Sequence, residues 1–206
     1  MDIRELGALQ LDALREVSNM GGGHAATALS QMTGRRIMVE VPQIRIIPIE
    51  DVGELTGNPE EVVASVLLQV LGDLTGRAMQ IFPGATAARV TEILTGTDGI
   101  TFPDGFGEME CSALNEVGNI VTGAYLNALS EFMGMLLLTS VPSLSIDQAQ
   151  AVLTSSYLEF GRAEEVVLCI DTHFLMDEAT EQMRGHFLLL PDPPSLKVML
   201  EALRLA

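Results

Sequence analysis

The sequence has no tryptophan, two tyrosines and a single lysine, Lys197, and aromatic residues make up only 4% of it. A core with so few rings must be built from aliphatic side chains, and these are plentiful: 48% of the 206 residues are hydrophobic, as expected of an ordered globular chain. Positive charge is also scarce, with 11 Lys and Arg against 28 Asp and Glu and a formal charge of -17. No basic cluster exceeds the pair Arg35–Arg36, so the chain lacks the footprint of a nucleic-acid binder or of a protein held on an anionic membrane. The acidity fits solubility in a salty cytoplasm or a basic docking partner. No apolar run reaches the length of a membrane span; "FMGMLLLT" and "FLLLP" are far too short. The opening "MDIRELGALQ" has no basic start followed by an apolar core, so no signal peptide is expected and a cytoplasmic protein is. The two cysteines, Cys111 and Cys169, fit no metal spacing and are expected to be free thiols.

What is present is a repeat. Shifting the sequence by 100 residues places residues 12–42 on residues 112–142 without a gap. "REVSNMGGGHAATAL" then falls on "NEVGNIVTGAYLNAL", and twelve of the thirty-one positions are identical, among them Glu16/Glu116, Asn19/Asn119, Gly23/Gly123 and Pro42/Pro142. A fixed period of this kind marks a duplicated unit. Each half reads as helix, strand, hairpin, helix. Residues 8–33 and about 108–133 have helical periodicity. "RRIMVEVPQIRIIP" and "GMLLLTSVPSL" read as strands, and "VVASVLLQVLG" with "GRAMQIFP" reads as a hairpin. "GATAARVTEILTG" reads as a helix, and "SIDQAQAVLTSS" as a helix with no counterpart in the first half. "EEVVLCIDTHFLM" and "EQMRGHFLLLP" form a second hairpin before a last helix at "SLKVMLEALRL". Short connections between neighbouring strands imply an antiparallel sheet and an α+β fold. The halves, roughly 1–100 and 101–206, are joined by the Gly-, Asp- and Pro-rich "GTDGITFPDGFGE" and are expected to share one sheet in a single domain spanning 1–206.

Phase on the two long helices separates core from surface. With about 100° per residue and Asp12 set at zero, Glu16 lies near 40°, Asn19 near 340° and Gly23 near 20°. Leu14, Val17, Gly21, Ala25, Ala28 and Met32 fall on the opposite side. In the second helix Ser112, Glu116, Asn119 and Gly123 repeat the stripe, opposite Leu114, Val117, Val121, Tyr125, Ala128 and Phe132. Polar residues on an exposed helix face are ordinary. A glycine there costs about 1 kcal/mol against alanine and makes sense where something approaches closely. Pro42 and Pro142 lie inside strand-like segments, where a residue without an N–H belongs at an edge or a bulge.

The pattern Asp12–Glu16–Asn19–Pro42, repeated as Ser112–Glu116–Asn119–Pro142, resembles the CheC family of chemotaxis phosphatases, in the group that includes CheX and FliY. The resemblance covers nearly the whole chain. It implies two pseudo-symmetric active sites on two long helices beside an antiparallel sheet, and a phosphorylated CheY-type response regulator as substrate. Asn19 and Asn119 match the family's water-positioning residues, and Glu16 and Glu116 the residues that grip a lysine of the partner. Asp12, Gly23, Pro42, Ser112, Gly123 and Pro142 complete the motif. The resemblance implies no cofactor on this chain; Mg2+ would belong to the response regulator. His24, His173 and His186 are isolated in the sequence and read as structural or exposed, so no metal site is expected.

Two other readings remain open at this level: a binder of response regulators without catalysis, and an adaptor for the receptor deamidase CheD, docking through "SIDQAQAVLTSS". A phosphate-binding loop at Gly21–Gly23 is excluded by the lack of a following lysine and by the run's place inside a helix.

Overall fold

The computed structural model describes residues 8–40, 43–48, 55, 57–158, 166–176 and 182–205. Two helices of 26 residues carry the repeat, α1 (Ala8–Thr33) and, after the first half, α3 (Glu108–Met133). Both stop at a glycine with left-handed backbone, Gly34 at φ 66° and Gly134 at φ 64°, a conformation side chains with a Cβ resist. The start of α3 is capped by Glu110, whose carboxylate accepts the Gly107 N–H at 2.9 Å, and Glu108 and Glu110 favour the positive helix end.

After α1 come β1 (Ile37–Val39), β2 (Gln43–Pro48), the hairpin β3 (Val62–Gly72) and β4 (Gly76–Pro83), and α2 (Gly84–Thr95). After α3 come β5 (Leu137–Thr139), β6 (Ser143–Gln148), α4 (Ala149–Leu158), the hairpin β7 (Val166–Met176) and β8 (Gln182–Pro191), and α5 (Pro193–Leu205). All eight strands form one sheet, and every pairing in it is antiparallel. The centre is β8 against β4, with Gly76 opposite Pro191 and Ile81 opposite His186. The halves exchange their first strands: β1 and β2 pair with β7 of the second half, and β5 and β6 pair with β3 of the first.

The expected bulge is present in the second half. Between Leu67↔Ser143 and Val70↔Thr139 the register steps by one residue, and Pro142 sits in that step. The register steps equally between Asp171↔Gln43 and Phe174↔Val39; Pro42 lies outside the described residues. The Ser140 N–H donates to the Gln69 carbonyl and the Glu40 N–H to the His173 carbonyl, each at 3.0 Å.

One face of the sheet carries the main core. Leu68, Phe82, Ile170 and Phe187 pack there against Leu14, Val17, Leu114 and Val121 of the long helices, with α2 and α5 adding Ala87 and Met199. Tyr125, the largest fully buried side chain, stacks on Phe187 with ring centroids 4.8 Å apart. Its hydroxyl lies 2.7 Å from Thr172 Oγ1. Burial pushes the Tyr125 phenol up to about 12, against the opposing pull of the Thr172 bond. On the opposite face Ala149 and Val152 of α4 cover Val63, Ile81, Val167 and Leu188.

The helix expected at "SIDQAQAVLTSS" is shorter than the sequence suggests. Ser145–Gln148 belong to β6, and the helix starts at Ala149. The alternation Ser143-Leu144-Ser145-Ile146 sets Leu144 and Ile146 against the main core, and six pairings with β3 hold the segment extended; period-two burial outweighs helical propensity.

Candidate functional site

The phase argument holds on both helices. Asp12, Glu16, Asn19 and Gly23 are exposed, as are Ser112 and Glu116, while Asn119 and Gly123 are half-buried. Leu14, Val17, Gly21 and Ala25 are buried, as are Leu114, Val117, Val121, Tyr125 and Ala128. Met32, expected on the core side, is 38% exposed; it lies in the last turn of α1, next to its stop at Gly34. Each half therefore presents a Glu and an Asn three residues apart, on neighbouring turns of one helix face.

The glycines of the opening run divide by environment. A Cβ on Gly21 would lie 2.5 Å from Tyr125 Cδ1 and 3.0 Å from Tyr125 Cα, so Gly21 lets α3 approach α1. Gly22, expected at the flank of the stripe, is buried. A Cβ on Gly23 or on Gly123 would meet nothing within 4 Å. Packing inside the protein does not require glycine at either position, yet both halves have one.

The two stripes differ in their charges. Asp12 Oδ1 pairs with Arg15 Nη1 at 2.6 Å, with both side chains exposed, an arrangement that contributes little to stability. The repeat has Ser112 and Asn115 at these positions, and the Asn115 Oδ1 is buried without a hydrogen-bond partner among the described residues. Among the described residues, no hydrogen bond or ion pair engages the side chains of Glu16, Asn19, Glu116 or Asn119, so all are available to a partner.

The structure brings together three side chains that look isolated in the sequence. The β7–β8 register sets Asp171 opposite His186, with Asp171 Oδ1 2.6 Å from His186 Nδ1 and 3.6 Å from Cys169 Sγ. Such a set can ligate a metal in principle. Here Arg45 Nη2 lies 2.5 Å from the other carboxylate oxygen, and burial together with the Asp171 charge pushes the Cys169 thiol far up, keeping it protonated. A guanidinium at the carboxylate and a neutral thiol are poor company for a cation, and the cluster reads as a tie between strands. Hairpin register is the signal that could have revealed it, since antiparallel pairing of β7 with β8 sets Asp171 opposite His186. Both cysteines are free thiols, as expected. No described helix is long and apolar enough to cross a membrane.

Two repeated helix faces on one strand-exchanged sheet define a duplicated α+β protein with a pair of candidate surface sites. The chain belongs to the CheC-like family, whose sequence profile matches residues 9–46 and again 109–146, the same 100-residue shift. It is 34% identical over 195 residues to the CheY-P phosphatase CheC of Bacillus subtilis, covering 94% of this chain and 93% of that protein. The flagellar motor switch phosphatase FliY of the same organism is 26% identical over 129 residues, 63% of this chain and 33% of FliY. The crystal structure of Thermotoga maritima FliY superposes with a TM-score of 0.79 at 22% identity, over 97% of this chain and 98% of that one, and shows the same fold.

Proposed function

We propose that this protein is a chemotaxis phosphatase that hydrolyses the aspartyl phosphate of a CheY-type response regulator, once at each helix face. The observation that carries the reading is the repeated pair Glu16/Asn19 and Glu116/Asn119 on the outward helix face, exposed except for the half-buried Asn119, each pair followed one turn later by a glycine that internal packing does not require. Membership in a family whose members include a CheY-P phosphatase supports it.

An aspartyl phosphate is a mixed anhydride, already reactive toward water, so positioning suffices for much of the acceleration. The amide of Asn19 or Asn119 can both donate to and accept from a water, holding it in line with phosphorus. Glu16 and Glu116 carry the wrong charge to approach a phosphoryl group and are suited to hold a lysine beside it. The phosphate, its Mg2+ and that lysine all belong to the partner, and the reading implies a cytoplasmic enzyme. Placement of the pairs on outward helix faces fits a protein substrate.

The decay of phosphorylated response regulator, followed with catalytic amounts of the chain, tests this. Asn19→Ala and Asn119→Ala should each leave one working site. The double variant should lose turnover on the order of 10²-fold, the scale set by misplacing a reactant. A folded double variant with undiminished turnover would remove asparagine from the mechanism. A wild-type chain that binds the phosphorylated regulator without accelerating decay would favour a non-catalytic binder.

A further inference from the structure

We propose that Leu9 and Met109 are the apolar anchors by which the receiver domain of the phosphorylated regulator docks on each helix face, a reading that rests on the phosphatase function above. Leu9 is 75% exposed and Met109 67% exposed, although both are large apolar side chains. They occupy equivalent positions, since the repeat shift of 100 carries residue 9 onto residue 109. Single exposed apolar residues are normal on any surface. These two recur in both halves, with apolar character kept while the residue type changed.

Their phase places them at the sites. At about 100° per residue, Leu9 falls near 60° on the scale that sets Asp12 at zero, about 20° past Glu16 at the flank of the Glu/Asn stripe, and Met109 takes the same angle on α3. From Leu9 to Gly23 the stripe runs about 21 Å at 1.5 Å per residue, a length that one receiver domain can cover in a standard interface. Its order is the same in each half: an apolar side chain, the Asp12 or Ser112 position, glutamate, asparagine, glycine. A desolvated apolar anchor at one end and open backbone at the other bracket the polar pair, the arrangement in which a buried side chain carries much of the affinity while the polar groups set the geometry.

Residues that only anchor the partner act on KM and leave kcat in place. With phosphorylated regulator as substrate, Leu9→Ala/Met109→Ala should raise KM roughly tenfold, the lower end of what burying such side chains contributes, with kcat retained. Leu9→Glu/Met109→Glu should raise KM further, and acidic residues suit the first turns of these helices, so folding is preserved. Leu9→Met/Met109→Leu should restore wild-type KM. Binding of regulator activated with beryllofluoride, measured by calorimetry, should weaken in parallel and tests the anchors even if the wild-type chain proves not to catalyse, an outcome that would sink the phosphatase reading alone. Unchanged KM and unchanged binding in the Glu variant would overturn the anchor role. So would a wild-type self-association, seen by sedimentation, that the variant abolishes while regulator binding stays intact.

Discussion

Gly21 and Gly23 stand two residues apart on α1 and respond to opposite demands. The place of a Cβ on Gly21 is already taken by the ring and backbone of Tyr125, so Gly21→Ala must push the two long helices apart and should destabilise the fold by about 1–3 kcal/mol. Gly23→Ala adds a methyl in open space and should stabilise the helix by about 1 kcal/mol. Urea unfolding of the two variants checks the signs. If the partner comes close to Gly23, the stabilised Gly23→Ala/Gly123→Ala chain should nonetheless show a raised KM for phosphorylated regulator. A stabler chain with unaltered kinetics would mean that no partner backbone comes near these positions. The stripe was legible in the sequence because two signals coincide there, helical phase and a fixed 100-residue repeat. The different roles of the adjacent glycines were legible only in part: phase put Gly21 on the core side, but only packing shows that Tyr125 is what it accommodates.

At the scale of elements, Arg45 of β2, Asp171 of β7 and His186 of β8 fasten three strands contributed by both halves. Burial alone would raise the Asp171 carboxyl, but the bond and charge of His186, with Arg45 beside it, outweigh burial and hold it below the usual carboxylate range. A carboxylate with a depressed folded pKa stabilises the native state fully above its unfolded value of about 3.9. That contribution is lost as pH falls through the lower folded value. Asp171→Asn should therefore lower the melting temperature at neutral pH and flatten its decline in acid. A variant whose melting curve tracked the wild type from neutral pH into acid would show that this tie contributes nothing. Hairpin register could have paired Asp171 with His186, but the part played by Arg45 could not be read from spacing, since it lies more than a hundred positions from either. The long helices and both hairpins could be read, because hydrophobic period is a local property. The boundary of β6 and α4 could not: Ser145–Gln148 suit either state, and their pairing with β3 decides.

For the molecule as a whole, the exchange of first strands is the governing feature. β2 and β6 have similar alternation and could have paired with either hairpin; the sequence foretold a shared sheet but not this exchange. With β1 and β2 on β7, and β5 and β6 on β3, each half lacks an edge of its sheet that only the other supplies. Residues 1–100 and 101–206 produced separately should each fail to show a cooperative unfolding transition, and mixing them should restore one, together with the proposed phosphatase activity. Two independently cooperative halves would contradict the shared core. Joined in one chain, the halves meet at the effective concentration of a short tether, so assembly of the sheet is independent of dilution. The same covalent link has a genetic consequence. In a dimer of identical subunits every substitution appears at both sites at once, whereas here each helix is encoded separately. One helix face can change while the other is kept, and Asp12 with Arg15 against Ser112 with Asn115 records such a divergence.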